Sequence, residues 1–311
     1  MHNTDTEQIK GLIYSIQRYC IHDGPGIRTL VFLKGCELFC PWCANPESQC
    51  FEMQIACSHG KCVACGYCAK VCPRGAITLT PKPQLNRSLC DLCGACVRGC
   101  AQDAWKIYGE TYTVEQIVSE IEKDSAYYRK SGGGVTFSGG EPTAQPDFLY
   151  EALKACHQRG IHTAIETHGF ASEAVFRRIA PYTDLFLIDL KHMDAQTHKK
   201  LVGVDNAPIH ANIRMLACEL GKKLMLRIPL IPGANDSPEN LEQTAAFARE
   251  IQGCGALETV NVLPYHAMGR GKYELFGLTY AMPDIKPPAQ PEIDAAVGVF
   301  AKAGLPVRQG G

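Results

Sequence analysis

Arg28-Thr29-Leu30-Val31-Phe32-Leu33-Lys34-Gly35-Cys36-Glu37-Leu38-Phe39-Cys40-Pro41-Trp42-Cys43 carries an apolar, β-branched run straight into three cysteines. Such a run, bounded by a glycine, reads as a buried strand. The cysteines follow it as Cys36-x3-Cys40-x2-Cys43, with Trp42 just before the last. Three thiolates can ligate three irons of a cubane 4Fe-4S cluster and leave the fourth iron open to a substrate. A structural zinc site typically takes four ligands, often as two separated Cys-x2-Cys pairs, and this order does not supply them.

Further short β-branched or aromatic runs follow at 134–138, 161–166, 185–190, 223–229 and 259–263. Helical signals lie between them. Val114, Ile117, Val118 and Ile121 share one face, Thr113 and Gln116 form a capping box before it, and Ser237-Pro238 opens another helix. Six strands with intervening helices predict an α/β fold, a partial (β/α)6 barrel, with its chemistry at the C-terminal strand ends.

Polar groups stand where that rule expects them. In Gly139-Gly140-Glu141-Pro142 the glycines let backbone approach a ligand, and Glu141 offers an acceptor for a cationic amine. Glu166-Thr167-x-Gly169 and Asp189-x-Lys191 end the next two strands, and alone the Asp-Lys pair would read as a surface ion pair of little energetic value. Arg227 sits inside a strand, where a charge requires solvent or a partner. His266 closes the last strand in Leu263-Pro264-Tyr265-His266; a lone histidine is more often a satisfied surface residue. Asp23, ahead of two glycine-bounded turns, could cap its own turn or accept hydrogen bonds from an entering peptide. His157, His162, His192 and His198 show no ligand spacing.

Residues 62–107 contain an internal repeat: Cys62-x2-Cys65-Gly-x-Cys68-x3-Cys72, then Cys90-x2-Cys93-Gly-x-Cys96-x3-Cys100. Of the other cysteines, Cys156 shares a helix face with Leu149, Ala152 and Leu153 and reads as an inert core thiol. Cys57 lies close enough to Cys62 to replace a ligand, but the eight-cysteine pattern is complete without it. Cys20, Cys50, Cys218 and Cys254 show no partner spacing.

The Cys36-x3-Cys40-x-Trp42-Cys43 group resembles the radical SAM signature, and Asp23-Gly24-Pro25-Gly26-Ile27-Arg28-Thr29 with Asn45-Pro46-Glu47 resembles the glycyl radical enzyme activating enzymes. With the strand-end motifs, the likeness extends to about residue 270. It implies that Cys36, Cys40 and Cys43 hold a 4Fe-4S cluster and that S-adenosylmethionine (SAM) chelates its open iron. Reductive cleavage would then give a 5'-deoxyadenosyl radical that takes hydrogen from a glycine Cα of a partner protein. It also implies SAM contacts at Trp42, Gly139, Gly140, Glu141, Glu166, Thr167, Asp189, Lys191, Arg227 and His266, and a catalytic role for Asp23. A monovalent cation belongs to the same pattern; pyruvate formate-lyase activating enzyme carries aspartate where this chain has Glu166, and a carboxylate is retained.

The repeat is similar to bacterial two-cluster ferredoxins, in which the last cysteine of each run serves the other cluster. That likeness implies one 4Fe-4S cluster on Cys62, Cys65, Cys68 and Cys100 and another on Cys90, Cys93, Cys96 and Cys72, three clusters in all. Pro73 follows Cys72 as in ferredoxins, whereas Ala101 replaces the second proline. The expected division is 1–50 for the start of the barrel with its cluster loop, 51–108 for a ferredoxin-like domain, and 109–311 for the rest of the barrel and a C-terminal segment. An insert of this kind resembles the activators of choline, glycerol, isethionate and arylacetate lyases or decarboxylases, with flavodoxin or ferredoxin as electron donor.

The 311 residues suffice for one substantial catalytic domain with a small insertion. A net charge of -1 without a basic block leaves no footprint for nucleic acid or an anionic membrane. The polar opening MHNTDTEQIK and the lack of a long apolar run predict a soluble, cytoplasmic chain without signal peptide or membrane span. Seventeen cysteines in such a compartment point to metal rather than disulfides. Two rival functions are a radical SAM enzyme acting on a small molecule or peptide, which the Asp23–Thr29 motif opposes, and a pure electron carrier, which about 200 residues of SAM-binding motifs make wasteful. After about residue 270 no motif is legible.

Overall fold

The computed structural model describes residues 9–310, so the polar N-terminal stretch lies outside the described residues as far as residue 8. Strands β1 (Lys10–Cys20) and β2 (Arg28–Leu33) precede the cysteine loop. A small inserted unit follows, made of β3 (Gln54–Cys57), α1 (Tyr67–Val71), β4 (Ile77–Leu79), β5 (Pro83–Leu85), α2 (Ala95–Arg98) and β6 (Trp105–Tyr108). The chain then runs through β7 (Glu110–Thr113), α3 (Val114–Glu122), α4 (Ser125–Ser131), β8 (Gly134–Gly139), α5 (Pro146–Gln158) and β9 (His162–Thr167). Next come α6 (Glu173–Ile179), β10 (Leu185–Asp189), α7 (Ala195–Val202), α8 (Ala207–Arg214), β11 (Lys223–Leu230), α9 (Pro238–Gly253) and β12 (Leu257–Pro264). Helices α10 (Arg270–Phe276) and α11 (Gln290–Lys302) and strand β13 (Val307–Gln309) finish it.

Among the described residues these strands form one nine-stranded sheet, ordered β13-β12-β11-β10-β9-β8-β2-β1-β7, and two small two-stranded sheets. The six strands expected from sequence, β2 and β8 to β12, lie side by side in chain order and all parallel. Strand β2 is buried along its whole length, as a parallel strand covered on both faces must be. Helices pack their apolar faces on the sheet: Ile117 and Ile121 from α3, Leu149 and Leu153 from α5, Phe176 from α6, Ile251 from α9 and Phe300 from α11 join one core with Val31, Phe137, Ile165, Phe186 and Leu226. Each such side chain contributes roughly 1.5–3 kcal/mol relative to exposure. Cys156 is fully buried in that core beside α5's leucines. The Thr113–Gln116 capping box and the Ser237 cap both form.

Three elements of the sheet extend beyond the sequence reading. Strands β1 and β7 add antiparallel at one edge, and β13 adds parallel at the other. The segment after residue 270, which carries no legible motif, is α10, α11 and β13. Helix α10 ties the cysteine loop to the inserted unit: Lys272 Nζ donates to Asn45 Oδ1 (2.8 Å) and Glu47 Oε1 (2.7 Å), and Tyr273 Oη to the Cys43 carbonyl (3.1 Å). At its far end Phe276 packs edge-on against Tyr108 (4.9 Å), and its carbonyl accepts from Arg87, which also donates to the Ile55 carbonyl.

One reading requires correction. Cys218 and Cys254 are joined in a disulfide, with Cα atoms 5.1 Å apart. They lie 36 residues apart, and the turns that lead into β11 and β12 bring them together, a proximity no local spacing could announce.

Candidate active site

The loop after β2 is held by backbone bonds from Gly35 N to the Ser48 carbonyl (2.7 Å) and from Phe39 N to the Val202 carbonyl (3.1 Å). It turns Cys36, Cys40 and Cys43, with Trp42, to the wall of one cavity of about 240 Å³ at the C-terminal ends of the parallel strands. Burial pushes the Cys36 and Cys43 thiols above their ordinary range and Cys40 up to about 11. Thiols so placed ionise when a metal takes them as ligands.

Gly139 and Gly140 line the same cavity. A Cβ at Gly140 would lie 2.3 Å from the Gly35 carbonyl oxygen, so only glycine lets this strand end close against the cysteine loop. Glu141 comes next in the chain. Its carboxylate is fully buried and is absent from the cavity wall. One oxygen accepts from Thr143 N (3.0 Å), Thr143 Oγ1 (2.7 Å) and Thr167 Oγ1 (2.8 Å), and the other from His168 N (2.9 Å). Through these donors Glu141 fastens the β8 loop to the end of β9, and Gly139 and Gly140 line the cavity.

Glu166, Thr167, Asp189, Lys191 and His266 line the cavity. Lys191 Nζ donates to Asp189 Oδ2 at 2.7 Å. Burial alone would lower the Lys191 ammonium, but Asp189 and the cysteine sulfurs outweigh it and hold it above its ordinary value. Burial would likewise raise Asp189, and Lys191 with Arg227 more than offsets this and depresses it. The Lys191–Asp189 pair is thus buried and ionised, not a surface pair.

Arg227 and Asp23 are not among the residues that line this cavity and stand beside it, against Glu166 and Asp189. Arg227 Nη1 stands 2.7 Å from Glu166 Oε1 and 3.7 Å from Asp23 Oδ1, and its Nε is 3.7 Å from Asp189 Oδ1. Ser138 Oγ donates to the other Glu166 oxygen at 2.7 Å. Burial, reinforced by Asp23 and Asp189 and relieved by Arg227, leaves the Glu166 carboxyl above its ordinary range. A ladder of charge therefore runs from Lys191 through Asp189 to Arg227, whose Nη1 faces both Glu166 and Asp23. Asp23 is held by its backbone: its carbonyl accepts from Thr136 Oγ1 (2.7 Å), and Arg28 Nε donates to the same hydroxyl (2.6 Å).

Sequence reasoning missed His168, Ile231 and Tyr265 in this wall. The histidines without ligand spacing lie off the wall: His162 stands against buried Arg28, and His198 Nδ1 is 2.8 Å from the Val204 carbonyl.

In the inserted unit, one small cavity is lined by Cys62, Cys65, Cys68 and Cys100, and another by Cys72, Cys90, Cys93 and Cys96. Helices α1 and α2 bring the two runs together over a core of Ile55, Ile77, Ala104 and Trp105. Cys57 is buried beside the first set, its thiol pushed up to about 12 by burial and by Cys62 and Cys68.

A family model described as the Radical SAM superfamily matches residues 30–248. A radical SAM methyltransferase from Sphaerobacter thermophilus superposes with a TM-score of 0.54 over 91% of this chain and 66% of that one, at 16% identity, and shares the fold. Among relatives, the indoleacetate decarboxylase activating enzyme of Tractidigestivibacter scatoligenes is 39% identical over 98% of both chains. The isethionate sulfite-lyase activating enzyme of Desulfovibrio desulfuricans is 41% identical over 89% of both. The chain belongs to the glycyl radical enzyme activating enzymes of the radical SAM superfamily, a family that uses a 4Fe-4S cluster and SAM. Among the described residues no helix is long and apolar enough to cross a membrane.

Proposed function

We propose that this chain installs a glycyl radical on a partner lyase, dehydratase or decarboxylase. Cys36, Cys40 and Cys43 would hold the cluster, and the cavity before them would take SAM. The reading is carried by the convergence of three half-buried cysteines, Gly139 and Gly140, and the Asp189–Lys191 pair on one cavity wall. The donor set fits: three soft thiolates suit iron-sulfur ligation and leave one corner for a chelating substrate. Buried polar atoms without a partner, among them Asp189 Oδ1 and His168 Nε2, surround the same space. When bound, the cluster supplies the electron that parts SAM into methionine and a 5'-deoxyadenosyl radical, which takes hydrogen from the partner's glycine Cα.

The chain's own residues would orient and exclude water. Lys191 would offer a fixed cation to the methionyl carboxylate, and Trp42, Thr167 and His266 line the same cavity. The cluster of Arg227, Glu166 and Asp23 would meet the partner's glycine loop at Asp23. Arg227 Nη1 lies 2.7 Å from Glu166 and Lys191 Nζ 2.7 Å from Asp189, so these side chains already supply positive charge beside both carboxylates where a monovalent cation was expected.

We further assign residues 51–108 to a ferredoxin-like unit with two 4Fe-4S clusters, between barrel segments 1–50 and 109–311. Support comes from the two cavities, whose cysteines interleave between the runs. Flavodoxin or ferredoxin in a reducing cytoplasm would charge them. Choline, isethionate and arylacetate partners follow the relatives' names, and glycerol rests on the sequence resemblance alone.

Anaerobically reconstituted protein, reduced and mixed with SAM, should yield 5'-deoxyadenosine. With the correct partner it should also yield a carbon-centred signal in electron paramagnetic resonance. Deoxyadenosine from the Cys36/Cys40/Cys43 triple alanine variant would overturn the site. SAM cleavage that never transfers a radical to any such partner would overturn the activation.

A further inference from the structure

His168 is the unassigned residue between Thr167 and Gly169, and its side chain is about nineteen-twentieths buried in the cavity wall beside Cys36. Its ring is fixed. Nδ1 accepts the Phe170 N–H at 3.0 Å, which puts the ring proton on Nε2. The backbone N–H is spent on Glu141 at 2.9 Å.

The ring's remaining donor has no settled partner. Nε2 lies 3.3 Å from Glu141 Oε2 and 3.5 Å from Glu37 Oε2, yet it forms a hydrogen bond with neither and is buried. Glu37 Oε2 is also buried without a hydrogen bond. A ring nitrogen of His168, the Cys36 sulfur and a Glu37 carboxylate oxygen all lie within 4.8 Å of one another.

We propose that His168 sets the reduction potential of the cluster held by Cys36, opposing the carboxylate of Glu37 on the same side. The inference rests on the reading of Cys36, Cys40 and Cys43 as cluster ligands. The physical reason is charge. Reduction adds an electron to the cluster, and its potential follows the hydrogen bonds to its sulfurs and the local net charge. An N–H dipole beside Cys36 favours the reduced form and raises the potential. The Glu37 carboxylate disfavours it and lowers the potential. Lys191, the cation on this wall, donates to Asp189, whereas the His168 Nε2 donor is unspent and stands at the Cys36 corner. His168 is a positioning residue in this account: it acts through Cys36 and Glu37.

The test is a potentiometric titration at one fixed pH, followed by electron paramagnetic resonance, of wild type, His168→Leu, His168→Gln and Glu37→Gln, each reconstituted with its full iron content. The relevant signal is the one that added SAM perturbs, and the clusters of the inserted unit serve as an internal reference. His168→Leu should shift its midpoint to more negative potential, His168→Gln, which keeps a side-chain N–H, should restore much of the shift, and Glu37→Gln should move it to more positive potential. The reference clusters should not move. Unchanged midpoints in His168→Leu and Glu37→Gln overturn the proposal. Should His168→Leu fail to load iron, Glu37→Gln decides alone, and no positive shift there overturns it. If wild type itself shows no SAM-sensitive cluster, the ligand assignment has failed, an outcome separate from unmoved potentials in a loaded site.

Discussion

Arg227 is the only cation that reaches Asp23, Glu166 and Asp189 together among the described residues. Removing one partner of a buried ion pair costs roughly 3–5 kcal/mol, because the other charge stays behind uncompensated. Arg227→Met should lose stability in that range by denaturant unfolding, and adding Glu166→Gln should recover part of it in a double-mutant cycle. His210 makes a second prediction. Burial first, then Arg214, lowers its imidazole from 6.5 to about 4, and its Nε2 is buried without a hydrogen bond. Between those values the unfolded chain binds the proton and the folded one does not, so the contribution is whole above pH 6.5 and drains away as pH falls toward 4. The loss reaches about 1 kcal/mol near pH 5.5. In His210→Phe, which keeps a ring against Phe247, the acid slope should be shallower by that amount in unfolding titrations from neutral pH. At this scale the sequence showed residue types at strand ends and little of their partners. Nothing local reveals that Glu141 bridges Thr143 to Thr167 and His168 at the end of the next strand.

Among elements, the six parallel strands and the capped helices were legible because each is a long, patterned, buried segment. Strand β1 was not: it alternates in burial only over its first residues and is half exposed thereafter. Strand β13 is three residues long and mostly exposed, so it carries almost no pattern. Helix α10 was hidden for another reason, since its importance lies in what it touches. Phe276 is 4% exposed and bears on Tyr108 and Arg87 of the inserted unit. Truncating a buried phenylalanine costs about 3–5 kcal/mol. Phe276→Ala should therefore loosen the unit first, seen as faster limited proteolysis within 51–108 while the main sheet stays protected.

For the whole molecule, the cysteine pattern carried most of the meaning. Two neighbouring runs of the chain interleave across two cavities. A fully reconstituted chain should bind about twelve irons, four for each of three clusters. Cys62→Ala and Cys100→Ala should each deplete the same spectroscopic signal, and Cys72→Ala should deplete the one lost in Cys90→Ala, which iron analysis with Mössbauer spectra would separate. The Cys218–Cys254 bridge escaped notice because its two turns meet only once the strands are laid side by side.

The segment bearing Asp23 is bolted down on every side. Arg28, wholly buried, also grips the Pro25 carbonyl at 3.1 Å, Ile27 N is bound to Ser131 Oγ at 2.9 Å, and a methyl on Gly26 would strike the Gly133 nitrogen at 2.4 Å. On the proposed function, this anchoring would leave the adjustment at docking to the incoming polypeptide, which would present its glycine to a doorway already set.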